Sequence, residues 1–121
     1  MEKISPQLRH QLAQFQQVQQ QAQVLVTQRQ QLELLLRETE KALEELEKLS
    51  EDAGVYKSVG GIMVRSSRDA LKKELSEQKE TLDLRIKALQ KQEERSIQRL
   101  REMREKIDKE LKSGAAEGAG G

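Results

Sequence analysis

A chain of 121 residues that is 36% charged, 35% apolar and only 2% aromatic lacks the rings that usually fill a compact core of this length. Its 22 Lys and Arg against 21 Asp and Glu leave a formal net charge of +1, which argues against nucleic acid as a partner. The absence of cysteine excludes a disulfide framework and a thiolate zinc site. No apolar run reaches membrane-spanning length and Met1–Pro6 has no signal-peptide core, so the expected setting is the cytoplasm, with no membrane partner.

What the composition favours is long helices, rich in Leu, Glu, Gln, Lys and Arg. Ser5-Pro6 reads as an N-cap followed by the first helical residue, where proline's missing N–H costs nothing. From there apolar residues recur every three or four positions. With Leu8 as heptad position a, Phe15, Ala22, Leu36 and Leu43 share that position, and Val18, Leu25, Leu32 and Leu46 occupy d. Gln11, Arg29 and Thr39 fall in the same seam as polar interruptions, which weaken packing but can fix register. This helix is expected over about 6–50, before Gly54.

The period then changes. Val55-Tyr56-Lys57-Ser58-Val59-Gly60-Gly61-Ile62-Met63-Val64 reads as a β-hairpin over about 55–65, with Gly60-Gly61 supplying the positive φ that a two-residue primed turn requires. Alternation puts Val55, Lys57, Val59, Ile62 and Val64 on one face and Tyr56, Ser58, Met63 and Arg65 on the other. A lone two-stranded hairpin is marginal in water and has open edges, so this one is expected to pair with copies or relatives of itself.

A second helix is expected over about 67–112, started by a capping signal at Ser66-Ser67-Arg68-Asp69. Its apolar line is Leu71, Leu75, Leu82, Ile86, Leu89, Ile97, Leu100, Met103, Ile107 and Leu111, interrupted by Glu93. Each helix is about 45 residues, roughly 65–70 Å long. The fold class is therefore mainly α, a long antiparallel two-helix coiled coil with a central β-hairpin. Residues 1–112 make one domain, and the Gly/Ala-rich stretch 113–121 is expected to be a disordered tail.

No constellation of residues suggests catalysis. His10, the single histidine, sits on a glutamine-rich helix without cysteine or organised carboxylates nearby, and Gly60-Gly61 lacks the Lys-Ser/Thr of a phosphate loop. No enzyme, metal or cofactor is expected. Charge is mildly polarised: residues 33–52 hold eight acids against three bases, and residues 91–112 hold eight bases against six acids. A two-helix pair has no third element to cover its seam. Ile4, Leu8, Leu12 and Phe15 from the first helix, with Met103, Ile107 and Leu111 from the second, therefore form a candidate surface for hydrophobic partners near the chain termini.

The central hairpin with its matched helical arms closely resembles the Val-Tyr-Lys-x-Val-Gly hairpin of the β-class subunits of archaeal-type prefoldins. Pro6-Gln7, the glutamine-rich first helix and Leu89-x-x-Gln92-Glu93 extend the resemblance over roughly residues 4–112. Gly61 departs from it, standing where the family often has proline or a β-branched residue. The resemblance implies a hexamer of two α-class and four β-class subunits whose hairpins join an oligomeric β-barrel. It also implies ATP-independent capture of unfolded client proteins by the coiled-coil tips and delivery to a group II chaperonin. On this chain Val55, Tyr56, Val59, Gly60, Gly61, Ile62 and Val64 would form the oligomerisation hairpin. Ile4, Leu8, Leu12, Phe15, Met103, Ile107 and Leu111 would be the client-binding tips, and Arg104, Lys106, Lys109 and Lys112 a chaperonin contact. The alternative is a structural coiled-coil scaffold or tether with one fixed protein partner, which explains the heptads but not the hairpin.

Overall fold

The computed structural model describes residues 4–120, with side chains from 4 to 113. Its elements run α1 (Pro6–Glu47), β1 (Val55–Val59), β2 (Ile62–Ser66) and α2 (Arg68–Gly120). The side chains of most of the Gly/Ala stretch expected as a tail over 113–121 lie outside the described residues. The chain divides into two compact units, one of Met1–Gln28 with Leu89–Gly121 and one of Arg29–Ala88. Each unit contains part of α1 and part of α2, and the hairpin belongs to the second.

In the unit Arg29–Ala88, the inward positions of α1 are Arg29, Leu32, Leu36, Thr39, Leu43 and Leu46, all buried or half-buried in the three-four spacing of a coiled-coil seam. Leu71, Leu75, Lys79, Leu82 and Ile86 do the same on α2. The polar members are accommodated locally. The Thr39 hydroxyl donates to the Leu35 carbonyl at 2.9 Å, and Arg29 pairs with Glu33 at 2.9 Å.

Helix α1 stops at Glu47 rather than near residue 50. Its backbone tightens there, with Lys48 N–H donating to Glu45 and Leu49 N–H to Leu46, both at 3.2 Å. The last carbonyls of a helix have no partner within it. Arg68 adds a charged donor there: its Nε donates at 2.9 Å to the Leu46 carbonyl that also accepts from Leu49 N–H, and its guanidinium lies 3.7 Å from Glu47. Lys72 reaches the same carboxylate at 2.6 Å. The hydrogen bond and charge of Lys72, with the charge of Arg68, hold the Glu47 carboxyl below its ordinary value of 4.5.

The hairpin joins Val55 to Ser66, Tyr56 to Arg65, Lys57 to Val64, Ser58 to Met63 and Val59 to Ile62 in antiparallel register. Directly opposed residues share a face, so the two faces carry the residue sets that alternation predicts. Gly60 and Gly61 form the turn with φ of +54° and +84°. Both angles suit a primed hairpin turn, and proline's fixed negative φ could not replace either. Lys57 Nζ donates to Glu74 at 2.6 Å and so ties the hairpin to α2.

The cap of α2 is Ser67, whose Oγ accepts from Ala70 N–H at 3.1 Å. The Ser-x-x-Asp spacing from Ser66 to Asp69 points to Ser66, but Ser66 closes β2 opposite Val55, which moves the cap one residue on.

In the unit Met1–Gln28 with Leu89–Gly121, Ser5 Oγ accepts from Leu8 N–H at 3.0 Å and caps α1 as Ser5-Pro6 predicts. The α1 seam is Leu8, Gln11, Phe15, Val18, Ala22 and Leu25. On α2 it is Leu89, Glu93, Ser96, Leu100, Met103, Ile107 and Glu110. Ile97 and Leu111, expected in the α2 line, are exposed. The three-four step places Ser96 and Glu110 inward, and each apolar neighbour lies about 100° further round the helix. Gln11 Nε2 donates to Glu110 Oε1 at 3.4 Å, and Gln14 lies beside Met103 and Ile107, so partner numbers fall along α2 as they rise along α1 and the helices are antiparallel in this unit.

A Cβ at either turn glycine would meet nothing within 4 Å, so substitution is opposed by backbone conformation alone. Gly60→Ala should lower stability by about 1 kcal/mol in chemical denaturation. Arg68→Ala should cost about 1–3 kcal/mol, because it removes a charged donor from a helix-end carbonyl, and Arg68→Lys should restore only part of it. Since the Glu47 pKa is lowered by folding, its contribution is present above the ordinary carboxylate range and is lost as pH falls through the folded value. Thermal melts of Glu47→Gln should accordingly be less sensitive to acidification below pH 4.5 than those of the parent chain.

Candidate functional site

Two surfaces carry the residues singled out from the sequence, one in each unit. In the hairpin, the side chains divide by position along the strands. Val55, at the open end, is buried within its own chain. Tyr56, Val59, Ile62, Met63 and Val64 are exposed, and Ile62 retains 67% of its accessible surface. Apolar groups therefore stand on both faces of a two-stranded sheet: Val59, Ile62 and Val64 on the side of Lys57, and Tyr56 and Met63 on the side of Arg65. Each strand has one neighbour only, which leaves a row of ladder donors and acceptors along both outer edges. A surface built this way can extend its sheet by strand addition while burying side chains on both faces.

In the unit Met1–Gln28 with Leu89–Gly121, the candidate partner-binding residues separate into three groups. Leu8 and Ile107 are core, each 7% exposed. Phe15 and Met103 are half-buried in the seam. Ile4, Leu12 and Leu111 are exposed. Arg104, Lys106, Lys109 and Lys112 all lie on the surface. Lys106 joins Gln11, Gln14, Met103 and Ile107 around a shallow cleft of about 130 Å³. Gln11 and Gln14 were not singled out as site residues from the sequence, and their only signal is the polar interruption at Gln11. Among the described residues, Gln11 Oε1 is the one buried side-chain polar atom with no donor.

Further exposed apolar residues, Val24, Leu34, Leu35 and Leu84, belong to none of the predicted sets. They fall outside the seam spacing, so their place on the outer helix surfaces could have been read from the heptad itself. Among the described residues there is no cluster of three His, Asp or Glu side chains able to hold a metal, and no helix is long and apolar enough to cross a membrane.

Comparison with known proteins gives a consistent result. The Prefoldin subunit family matches residues 9–114. The prefoldin subunit beta of Archaeoglobus fulgidus is 49% identical over 107 residues, covering 88% of this chain and 92% of that one. That of Pyrococcus furiosus is 39% identical over 116 residues, covering 96% and 99%. The crystal structure of the prefoldin beta subunit from Thermococcus strain KS-1 superposes with a TM-score of 0.84 at 41% identity, over 92% of this chain and 97% of the other. With two long helices, a single antiparallel hairpin between them and matches of this extent, the chain belongs to the prefoldin subunit family.

Proposed function

We propose that this chain is the β-class subunit of a hetero-oligomeric prefoldin, a cytoplasmic co-chaperone that holds non-native polypeptides without nucleotide hydrolysis. The observation that carries the reading is the hairpin. It exposes apolar side chains on both faces and has two open strand edges, a surface that one chain cannot cover. Assembly with α-class and further β-class subunits, two and four in the hexamer, would continue the sheet into a barrel and bury Val59, Ile62 and Val64 on one face and Tyr56 and Met63 on the other. Val55, already buried, would stiffen the root of the hairpin rather than meet a partner.

The helix pair formed by residues 4–28 and 89–113 then receives clients. Exposed Ile4, Leu12 and Leu111 offer apolar contact, with half-buried Phe15 and Met103 beside them. Capture rests on binding alone and uses no catalytic group. Delivery to a group II chaperonin would use the exposed bases Arg104, Lys106, Lys109 and Lys112, whose charge can steer an encounter with an acidic surface.

The direct test is light scattering of a chemically unfolded protein diluted into nucleotide-free buffer, with or without the oligomer formed by this chain and an α-class subunit. Suppression of aggregation at near-stoichiometric oligomer is expected. Unchanged aggregation with an oligomer of intact native mass would sink the holdase reading and leave a scaffold with a fixed partner. Val59→Asp and Ile62→Asp should each dissociate the oligomer in native mass spectrometry, since burying an unpaired carboxylate in an apolar interface costs several kcal/mol. An unchanged mass would show that this face of the hairpin lies outside the subunit interface.

A further inference from the structure

The unit Met1–Gln28 with Leu89–Gly121 repeatedly puts a polar residue inward and an adjacent apolar one outward. Gln11 is in the seam while Leu12 is 39% exposed, Ser96 is in the seam while Ile97 is 49% exposed, and Glu110 is in the seam while Leu111 is 51% exposed. A fourth polar seam residue, Glu93, is followed by Glu94. In the unit Arg29–Ala88 the polar seam residues Arg29, Thr39 and Lys79 are followed by Gln30, Glu40 and Glu80, so nothing apolar is turned out beside them. Packing alone would favour the opposite choice at Gln11 and Glu110. Leucine at both positions would continue the apolar seam from Leu8 to Phe15 on α1 and beyond Ile107 on α2.

The polar layer also carries a cost. The Gln11–Glu110 bond, at 3.4 Å, is long, and Gln11 Oε1 is buried without a donor. The amide cannot turn over to improve matters, because a carboxylate only accepts and so requires the Nε2 side of Gln11.

Geometry gives the layer a consequence. In an antiparallel pair, one step forward from the seam on either helix leads to the same side of the pair. Gln11 and Glu110 are bonded to each other, so Leu12 and Leu111 stand side by side on one face. Fourteen residues further along α1 and fourteen residues back along α2 come half-buried Val26 and exposed Ile97, each also one step beyond a seam position and therefore on that face. The two apolar spots are about 21 Å apart, with Gln16, Gln19, Arg101 and Arg104 among the polar residues between them. Two small spots separated by polar surface fall short of the roughly 800 Å² per partner of a standard interface between folded proteins. An extended chain at about 3.4 Å per residue spans them with apolar side chains six residues apart.

We propose that Gln11 and Glu110 are a positioning pair whose places in the seam, beside the apolar residues that set the phase of the two helices, leave the neighbouring leucines outside it. The pair keeps Leu12 and Leu111 on one face, where with Val26 and Ile97 they hold an extended non-native segment bearing apolar side chains about six residues apart. This rests on the holdase reading and specifies what its site recognises.

The test uses the oligomer with its α-class subunit and two labelled Gly/Ser/Asp peptides, with leucines six or three residues apart, read by fluorescence anisotropy. The wild-type oligomer should bind the six-residue spacing about tenfold more tightly. The exchange variant Gln11→Leu, Leu12→Gln, Glu110→Leu, Leu111→Glu keeps the composition and moves the leucines inward. It should lose about tenfold in affinity for the six-spaced peptide while hydrogen exchange slows over residues 8–15 and 103–111. Leu12→Ser with Leu111→Ser, which leaves the polar pair in place, should lose affinity to a similar extent even if the exchange variant fails to fold. Retained affinity in either folded variant, or equal binding of the two peptides, overturns the proposal. A wild-type oligomer that suppresses aggregation but binds neither peptide overturns it and leaves the holdase reading standing. An oligomer that suppresses no aggregation removes both.

Discussion

Two helices packed only against each other can hide no more than one narrow stripe apiece, and the rest of this protein follows from that limit. A residue in the three-four spacing is buried or half-buried whether it is Leu8, Gln11, Arg29 or Thr39. Leu12 and Leu111, each one step away, are at the surface although they are leucines. Apolar groups that the sequence places outside the stripe, Leu12 and Leu111 among them, therefore stay exposed. The proposed function gives them a use, since a surface of separated apolar spots can engage chains that have no fixed shape.

The hairpin obeys a related limit. A sheet of two strands has one ladder and two edges, and among the described residues five apolar side chains from Tyr56 to Val64 stand exposed. Its attachment is correspondingly firm at the root. Val55 is buried, Lys57 reaches Glu74, and Arg68 binds the last turn of α1 through the Leu46 carbonyl. These contacts hold the hairpin by its open end and leave the Val59–Ile62 end free to pair. Stability within the subunit and incompleteness at its edge are properties of the same ten residues.

Much of this was legible in the chain. The heptad seam of α1, polar members included, follows from spacing alone, because a helix repeats every 3.6 residues whatever its partner. Ser5-Pro6, Gly60-Gly61 and the alternation of the two strands are equally local, and each was realised at the residue the sequence indicated. The errors lie where a second element decides. Ser67 caps α2 because the hairpin register has already taken Ser66. Helix α1 stops at Glu47 with Arg68, distant in sequence, bound to its last turn.

By itself the sequence determined the kinds of elements, their order and the stripe each helix would bury, since these depend on propensity, period and turn chemistry within a few residues. The tertiary structure decided which member of each polar-apolar neighbour pair on α2 turned inward. Hydrophobicity places Ile97 and Leu111 in the apolar line of α2, with Leu111 also a candidate for partner contact, but a continuous three-four step through Met103 and Ile107 admits Ser96 and Glu110 to the seam instead. Helical phase is a property of two packed surfaces at once, and Glu110 has its partner, Gln11, only on the opposing helix.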